Sequence, residues 1–274
     1  MDEKVDNFGA VPDVAIAMSV LGRLDMTERC LATLLEDPER PAYEIAIVDN
    51  GSRDNTPGYL RKFKEKVASL GKGDSFRVLT NPETTCLAAA WNQAIRATHA
   101  PWVVVVSNDI LLPRGWWAGL KGAMEAHGLA LASPFPLEGE LPRDFPAWAA
   151  AFMRRNRERY WRDYSFVVFA FRRGTFEKIG GLDENFLVGG FEDTDYVYRL
   201  RAAGLKYGIV GASALYHYGS ATMEAFKQAG DLHAEPNRNY FIGKWKVDPS
   251  AEQVSAGAKL VRRWRRWKLR LGLM

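Results

Sequence analysis

Four short apolar runs, each handing over to a helical pattern, constrain this 274-residue chain more than any other feature. They are VAIAMSV (Val14–Val20), YEIAIVD (Tyr43–Asp49), FRVLTN (76–81) and WVVVVSND (102–109). The runs are rich in valine and isoleucine and do not alternate with polar residues, as expected of parallel strands covered on both faces. Between them lie helical patterns. Residues 25–36 carry Met26, Cys30, Leu31, Leu34 and Leu35 on one face, and residues 56–71 open with Thr56 as N-cap and Pro57 at the first helical position. Residues 84–98 form a third helix. The chain is therefore read as α/β, an α/β/α sandwich around a mostly parallel sheet. In such open sheets ligands bind at the carboxyl ends of the strands, and Asp49 and Asp109 both close an apolar run there.

Past Pro113 the alternation loosens. Helix is expected at 113–128, strand at 129–134, an aromatic, arginine-rich helix at 145–161, and strand at 165–173. A helix and loop follow at 174–186, then a helix from Glu192 and a further strand ahead of His217. The division is a domain at 12–219 and a C-terminal extension at 220–274. The last sixteen residues hold seven Lys and Arg and no acid, so the chain's net +4 leaves −3 for the rest. A slightly acidic body is not a diffuse polyanion binder. In the tail Leu260, Trp264, Trp267 and Leu271 make one helical stripe among arginines. Such a helix fits the surface of an anionic membrane, the core, or a second subunit, and these readings stay open. The polar, acidic start is unlike a signal peptide, and no apolar run approaches the ~18 residues of a membrane span. The expected location is the cytoplasm, with the inner face of the membrane as a peripheral option.

Several chemistries are absent. No Gly-x-Gly-x-x-Gly follows the first strand, and there is no phosphate loop, nucleophile elbow or zinc-type cluster. Cys30 and Cys86 lack ligand spacing, fit a reducing compartment, and read as small buried hydrophobes in helical patterns. What remains is a set of carboxylates at strand ends and one late histidine. Each has a plain structural reading: Asp49 as a turn aspartate, Asp109 as a cap, and the acids at 192, 193 and 195 as partners of a helix dipole.

The order of motifs adds more. EIAIVDNGSRDNT, AAAWNQAI, VVVVSNDI, GGLDENFLVGGFEDTDYVYRLRAAG and YHYGS follow one another as in family 2 glycosyltransferases of the GT-A fold. The chain resembles the rhamnosyltransferase-like and galactofuranosyltransferase-like branches over residues 14–219. NYFIGKW (239–245) echoes a segment that often follows their core. The resemblance implies a donor site in which Asp49 accepts the N3–H of a uracil or thymine, favouring UDP- or dTDP-sugars over GDP-sugars. Asp54 would shape the same pocket, Asn92 would face the donor, and Gly190, beside Gly189, would let backbone approach the sugar. Ser107, Asn108 and Asp109 occupy the place of the family's acidic motif, with Ser107 replacing its first acid. Asp109 and His217 would hold a divalent cation, Mn2+ or Mg2+, an imidazole favouring Mn2+. Asp193 is implied as general base, with Glu192 contacting the acceptor or orienting the loop, and Asp195 as a helix-turn residue. Cys86 stands where the family often has glycine.

The implied activity is inverting transfer of a sugar to an acceptor hydroxyl on a glycan, lipid-linked saccharide, protein or modified nucleobase. Two rivals are weighed. A nucleotidyltransferase needs a glycine-rich basic loop after the first strand, which SVLGRLDMTE does not supply. A binding module that has lost turnover draws support from Ser107.

Overall fold

The computed structural model describes residues 12–219 and 234–248. The tail stripe at 260–271 and most of the 220–274 extension lie outside the described residues. The elements are β1 (Val14–Val20), α1 (Leu24–Glu36), β2 (Tyr43–Asp49), α2 (Thr56–Ser69), β3 (Ser75–Thr80), α3 (Leu87–Arg96), β4 (Trp102–Val106) and β5 (Ile110–Leu111). There follow α4 (Trp116–His127), β6 (Leu131–Leu137), α5 (Phe145–Asn156), β7 (Tyr160–Trp161), β8 (Val168–Arg172), α6 (Arg173–Ile179), α7 (Glu192–Ala202), β9 (Tyr207–His217) and α8 (Ala234–Trp245).

Nine strands form one sheet in the order β3-β2-β1-β4-β8-β6-β9-β5, with β7 on β9. β1, β2, β3 and β4 are mutually parallel, and β6 and β9 share their direction. β8, β5 and β7 run against them. Antiparallel β8 sits between β4 and β6, which ends the regular βαβ rhythm where the sequence pattern loosens.

Because successive strand residues face opposite sides, each buried strand feeds two cores. Ile16 and Met18 of β1, Ile45 and Ile47 of β2, and Val104 and Val106 of β4 join α1, α2 and α4 on one face. Ala17, Ala46, Val48, Val103 and Val105 meet α3 and α7 on the other. This is why the runs carry no polar alternation. At the amino ends, Arg40 and Asp74 form a pair with side chains 1% and 0% exposed, and Asp74 also accepts Tyr43 N–H.

Some local expectations change. α2 begins at Thr56 with Asn55 as N-cap, one residue earlier than expected for the cap. Tyr160 and Trp161 pair with β9 rather than extending α5. His217 is the last residue of β9 rather than lying beyond it. Cys30 is buried, but Cys86 is half-buried at the N-cap of α3 and reaches Glu184 O at 3.4 Å. α8 belongs to the stretch read as an appendage, yet Phe241 is fully buried and Asn237 is 1% exposed. Its polar side chains contact Leu187 in the loop before α7 and Asp195 of α7. Among the described residues, no helix is long and apolar enough to cross a membrane.

Candidate active site

The carboxyl ends of β1 and β2 are stitched into a single rim. Gly22 N–H donates to Ser52 Oγ, and Ser52 N–H to Asp49 Oδ1. Asp54 ties the two loops, with Oδ2 accepting Leu24 N–H and Oδ1 accepting Thr56 N–H. Partial burial opposes its charge, but hydrogen bonds from Thr56 and Leu24 hold its pKa below the ordinary value. Gly22 (φ +60°) and Arg23 (φ +53°) make the sharp left-handed turn that lets this loop form. A cleft of about 530 Å³ opens here, lined by Leu21, Gly22, Gly51, Arg53, Asp54 and Thr84. Asp49 is 1% exposed behind it.

Asn50 carries the rim onward. Its amide donates to Thr85 O, and its oxygen accepts from Asn81, Thr85 N–H and Thr85 Oγ1. Leu87 N–H then bonds Val188 O, which leads the chain of contacts to the acids of α7. Nothing in the local sequence marked Asn50 as this hub.

At the end of β4, Ser107 N–H bonds Val167 O and Asn108 turns its amide to Thr27 of α1. Asn108 thus braces the loop. Asp109 Oδ2 lies 3.2 Å from His217 Nε2, although 108 residues separate them. The other ring nitrogen, Nδ1, lies 3.1 Å from Glu138 Oε1. Burial works against a charged ring, but the bonds to Asp109 and Glu138 outweigh it and push the His217 pKa up to about 9. The same bond to His217 lowers Glu138. Glu138 sits in a turn whose sequence carries no ligand spacing, so only the paired strands reveal it.

The donor set suits a divalent cation. Asp109 and His217 would hold such an ion through a carboxylate oxygen and an imidazole nitrogen, the ring giving up its proton to do so. Among the described residues, no group of three or more His, Cys, Asp or Glu side chains is placed to hold a metal ion by itself. Two protein ligands would leave the rest of an ion's shell to phosphate oxygens and water. Glu138 on the far nitrogen has the place of a carboxylate that fixes a metal-bound histidine.

The acids of α7 differ from one another. Glu192 is 5% exposed and its carboxylate accepts Gly190 N–H. Burial first, then the neighbouring Asp193 charge, raises it to about 7. Asp193 is half-buried, with Oδ1 accepting Thr194 N–H at 2.6 Å and Thr194 Oγ1 at 3.1 Å. Its pKa is also raised, chiefly by burial. Asp195 is fully buried among Arg199, Lys244 and the Trp245 indole, an anchor between α7 and α8 rather than a helix-turn residue alone. Tyr164 O–H and Thr194 Oγ1 meet at 3.1 Å, and Val167, three residues on, bonds Ser107. The segment 164–167 therefore spans from the acids of α7 to the loop of Asp109.

Asn92 corrects the expectation of a donor contact. It is fully buried, and its amide is spent on Leu182 N–H, Leu182 O and Glu184 Oε1. A Cβ on Gly181 would come within 2.6 Å of its oxygen, so the glycine is what admits this clasp. Gly190 has φ +107°, which accounts for glycine on backbone grounds.

The fold is an open α/β sheet with a cleft over its first strands and a carboxylate–histidine pair where the edge strand β5 meets the end of β9. The model for glycosyl transferase family 2 matches residues 15–180, more than half the chain. The chain belongs to that family. A second model, described as the N-terminal domain of galactosyltransferase, matches residues 150–223. The O-antigen biosynthesis protein RfbC of Myxococcus xanthus is 24% identical over 234 residues, 78% of this chain and 18% of that protein. A TPR repeat-containing protein of Synechococcus elongatus is 26% identical over 162 residues, 58% of this chain and 36% of that one. The chain thus spans a minor part of these relatives. Among solved structures, the mannosyltransferase PcManGT from Pyrobaculum calidifontis, with GDP-Man and Mn2+, superposes with TM-score 0.61 and 18% identity, over 94% of this chain and 84% of that one. GalNAc-T7 with UDP, GalNAc and Mn2+ gives TM-score 0.60 and 14% identity, over 76% of this chain and 44% of that one. These likenesses establish the GT-A fold.

Proposed function

We propose that this chain is a metal-dependent, inverting glycosyltransferase that moves a sugar from a nucleotide diphosphate to an acceptor hydroxyl. The observation that carries the reading is the Asp109–His217 pair, 3.2 Å apart, with Asp109 just ahead of β5 and His217 closing β9. Asp109 and His217 would hold the cation, Mn2+ ahead of Mg2+, with Glu138 steering the ring. When bound, such a cation supplies counter-charge to the leaving diphosphate. Asp49 keeps one carboxylate oxygen for Ser52, and the other would accept the N3–H of uracil or thymine. Asp54 and Gly22 would wall the nucleoside, and Ser107 would border the diphosphate.

Asp193 is the proposed base. It takes the acceptor proton while the acceptor oxygen bonds the anomeric carbon and the bond to phosphate breaks, its electron pair leaving with the nucleotide. One displacement by the acceptor oxygen, with no covalent sugar–carboxylate intermediate, inverts the centre. Glu192 would orient the loop through Gly190. The acceptor class favoured is a saccharide hydroxyl, in keeping with the name of the Myxococcus relative.

A thermal-shift panel of UDP-, dTDP- and GDP-sugars, each with Mn2+ and with EDTA, tests donor and metal together. Stabilisation by a UDP- or dTDP-sugar in Mn2+ alone is expected. Equal shifts in EDTA would remove the metal from the reading. The second reading, a binding module without turnover, rests on Ser107 in place of an acid. Release of nucleotide diphosphate by the purified chain decides against it.

A further inference from the structure

The loop that delivers the α7 acids has an unusual backbone. Val188 has φ +57°, Gly190 +107° and Phe191 +73°, so two non-glycine residues of four lie in the left-handed region. Such residues are strained and persist only where surroundings hold them. Leu187 beside them is 49% exposed; Phe191 packs on Phe241 of α8 at 6.0 Å and Leu87 N–H bonds Val188 O, but neither contact reaches the carbonyls of Gly189 and Gly190.

Asn237 of α8 does. It is 1% exposed, and its Oδ1 accepts Leu187 N–H at 2.8 Å. Its amide nitrogen faces three carbonyls, Leu187 at 2.9 Å, Gly190 at 3.2 Å and Gly189 at 3.3 Å. An amide has two N–H groups, so the three carbonyls share them. Gly190 is therefore gripped twice, its carbonyl by Asn237 and its N–H by Glu192. Asp193 follows at once in the chain. α8 has its own anchors elsewhere: Lys244 bridges Asp183 and Asp195 at 2.6 and 2.7 Å, and Trp245 Nε1 donates to Asp195. The helix lies beyond both family-matched segments, which end at 180 and 223.

We propose that Asn237 is a positioning residue for sugar transfer: its side-chain amide sets the 187–190 turn that holds Glu192 and Asp193 at the acceptor. The proposal rests on the reading of these acids as catalytic. Losing the amide leaves α8 docked by its other anchors and frees the loop, so the reacting geometry suffers more than the donor site does.

The test uses Asn237→Ala and the isosteric Asn237→Asp, which keeps an acceptor but loses both donors, with Lys244→Met as a docking control. Amide hydrogen exchange over 187–192, donor turnover and melting temperature are measured on each. In both Asn237 variants exchange is expected to quicken at least about tenfold. kcat should fall ~10- to 100-fold, the range for misplacement of about 1 Å, with the donor KM within about twofold. Lys244→Met should lower the melting temperature with kcat within about twofold of wild type. Wild-type exchange in the Asn237 variants, wild-type kcat, or an equal kcat loss in Lys244→Met would overturn the proposal. Failure of the wild-type chain to turn over any nucleotide sugar strikes the enzymatic reading instead, and the exchange rates still decide the clamp.

Discussion

The two ends of the sheet hold similar residues in opposite circumstances. At the amino ends every carboxylate considered is matched by protein. Asp74 meets Arg40, Glu44 accepts His99 N–H and Ala100 N–H, and Asp37 accepts Gly115 N–H and Glu39 N–H. At the carboxyl ends, Glu192 and Asp193 crowd each other with raised pKa values, and left-handed residues gather at 22–23 and 188–191. One end spends its charges on stability. The other keeps them poised, as active sites do.

Breaking the poised end should cost activity first. Asp193→Asn retains shape and loses the proton acceptor, so transfer is expected to fall ~10²–10⁴-fold while donor binding persists. Steady-state turnover and calorimetric titration of UDP in Mn2+ separate the two. If Asp193→Asn transfers normally and Glu192→Gln does not, the base is Glu192. Breaking the matched end should cost stability. Asp74→Asn leaves the buried Arg40 charge with the carbonyls of Leu35 and Pro41 but no countercharge, and losses of ~3–5 kcal/mol are typical of such removals. Urea denaturation should show it, with kcat of the folded fraction unchanged.

Glu138→Gln tests a residue between these extremes. It keeps the ring's hydrogen-bond partner but removes a charge, and loss of such support typically weakens metal affinity ~10- to 100-fold. Manganese titration followed by electron paramagnetic resonance measures it directly, without turnover. The smallest effect expected is on stability against pH. Glu192 has a folded pKa near 7, above its ordinary 4.5, so its neutral form is the one the fold favours. The stability it contributes is complete below pH 4.5 and is lost as pH rises through 7. Glu192→Gln should therefore raise the melting temperature by a few degrees at pH 8 and not at pH 4. A uniform rise at both would place the gain in packing instead.

What was legible in the chain was whatever repeats locally. Unbroken valine and isoleucine runs placed β1, β2 and β4, because a strand covered on both faces leaves no polar positions. The apolar spacing at Cys30, Leu31 and Leu34 placed α1 for the same kind of reason. The motif order brought Asp49, Asp109 and His217 into view at or beside strand ends, and Asp193 in the first turn of α7. The short β5 and β7 were not visible, because two residues show no period and each forms only against β9.

Partnership across the fold was decided elsewhere. Asn92 looked like a donor contact but lies buried against Leu182, ninety positions away, in a space opened by Gly181. Glu138 meets His217 only because β6 and β9 run side by side. Asn237 finds the 187–190 turn only because α8 returns to the domain. A polar side chain carries its donors and acceptors in its own chemistry, so the sequence determined which groups needed partners. Which partners they found depended on how distant segments packed, and that was settled by burying both faces of the sheet at once.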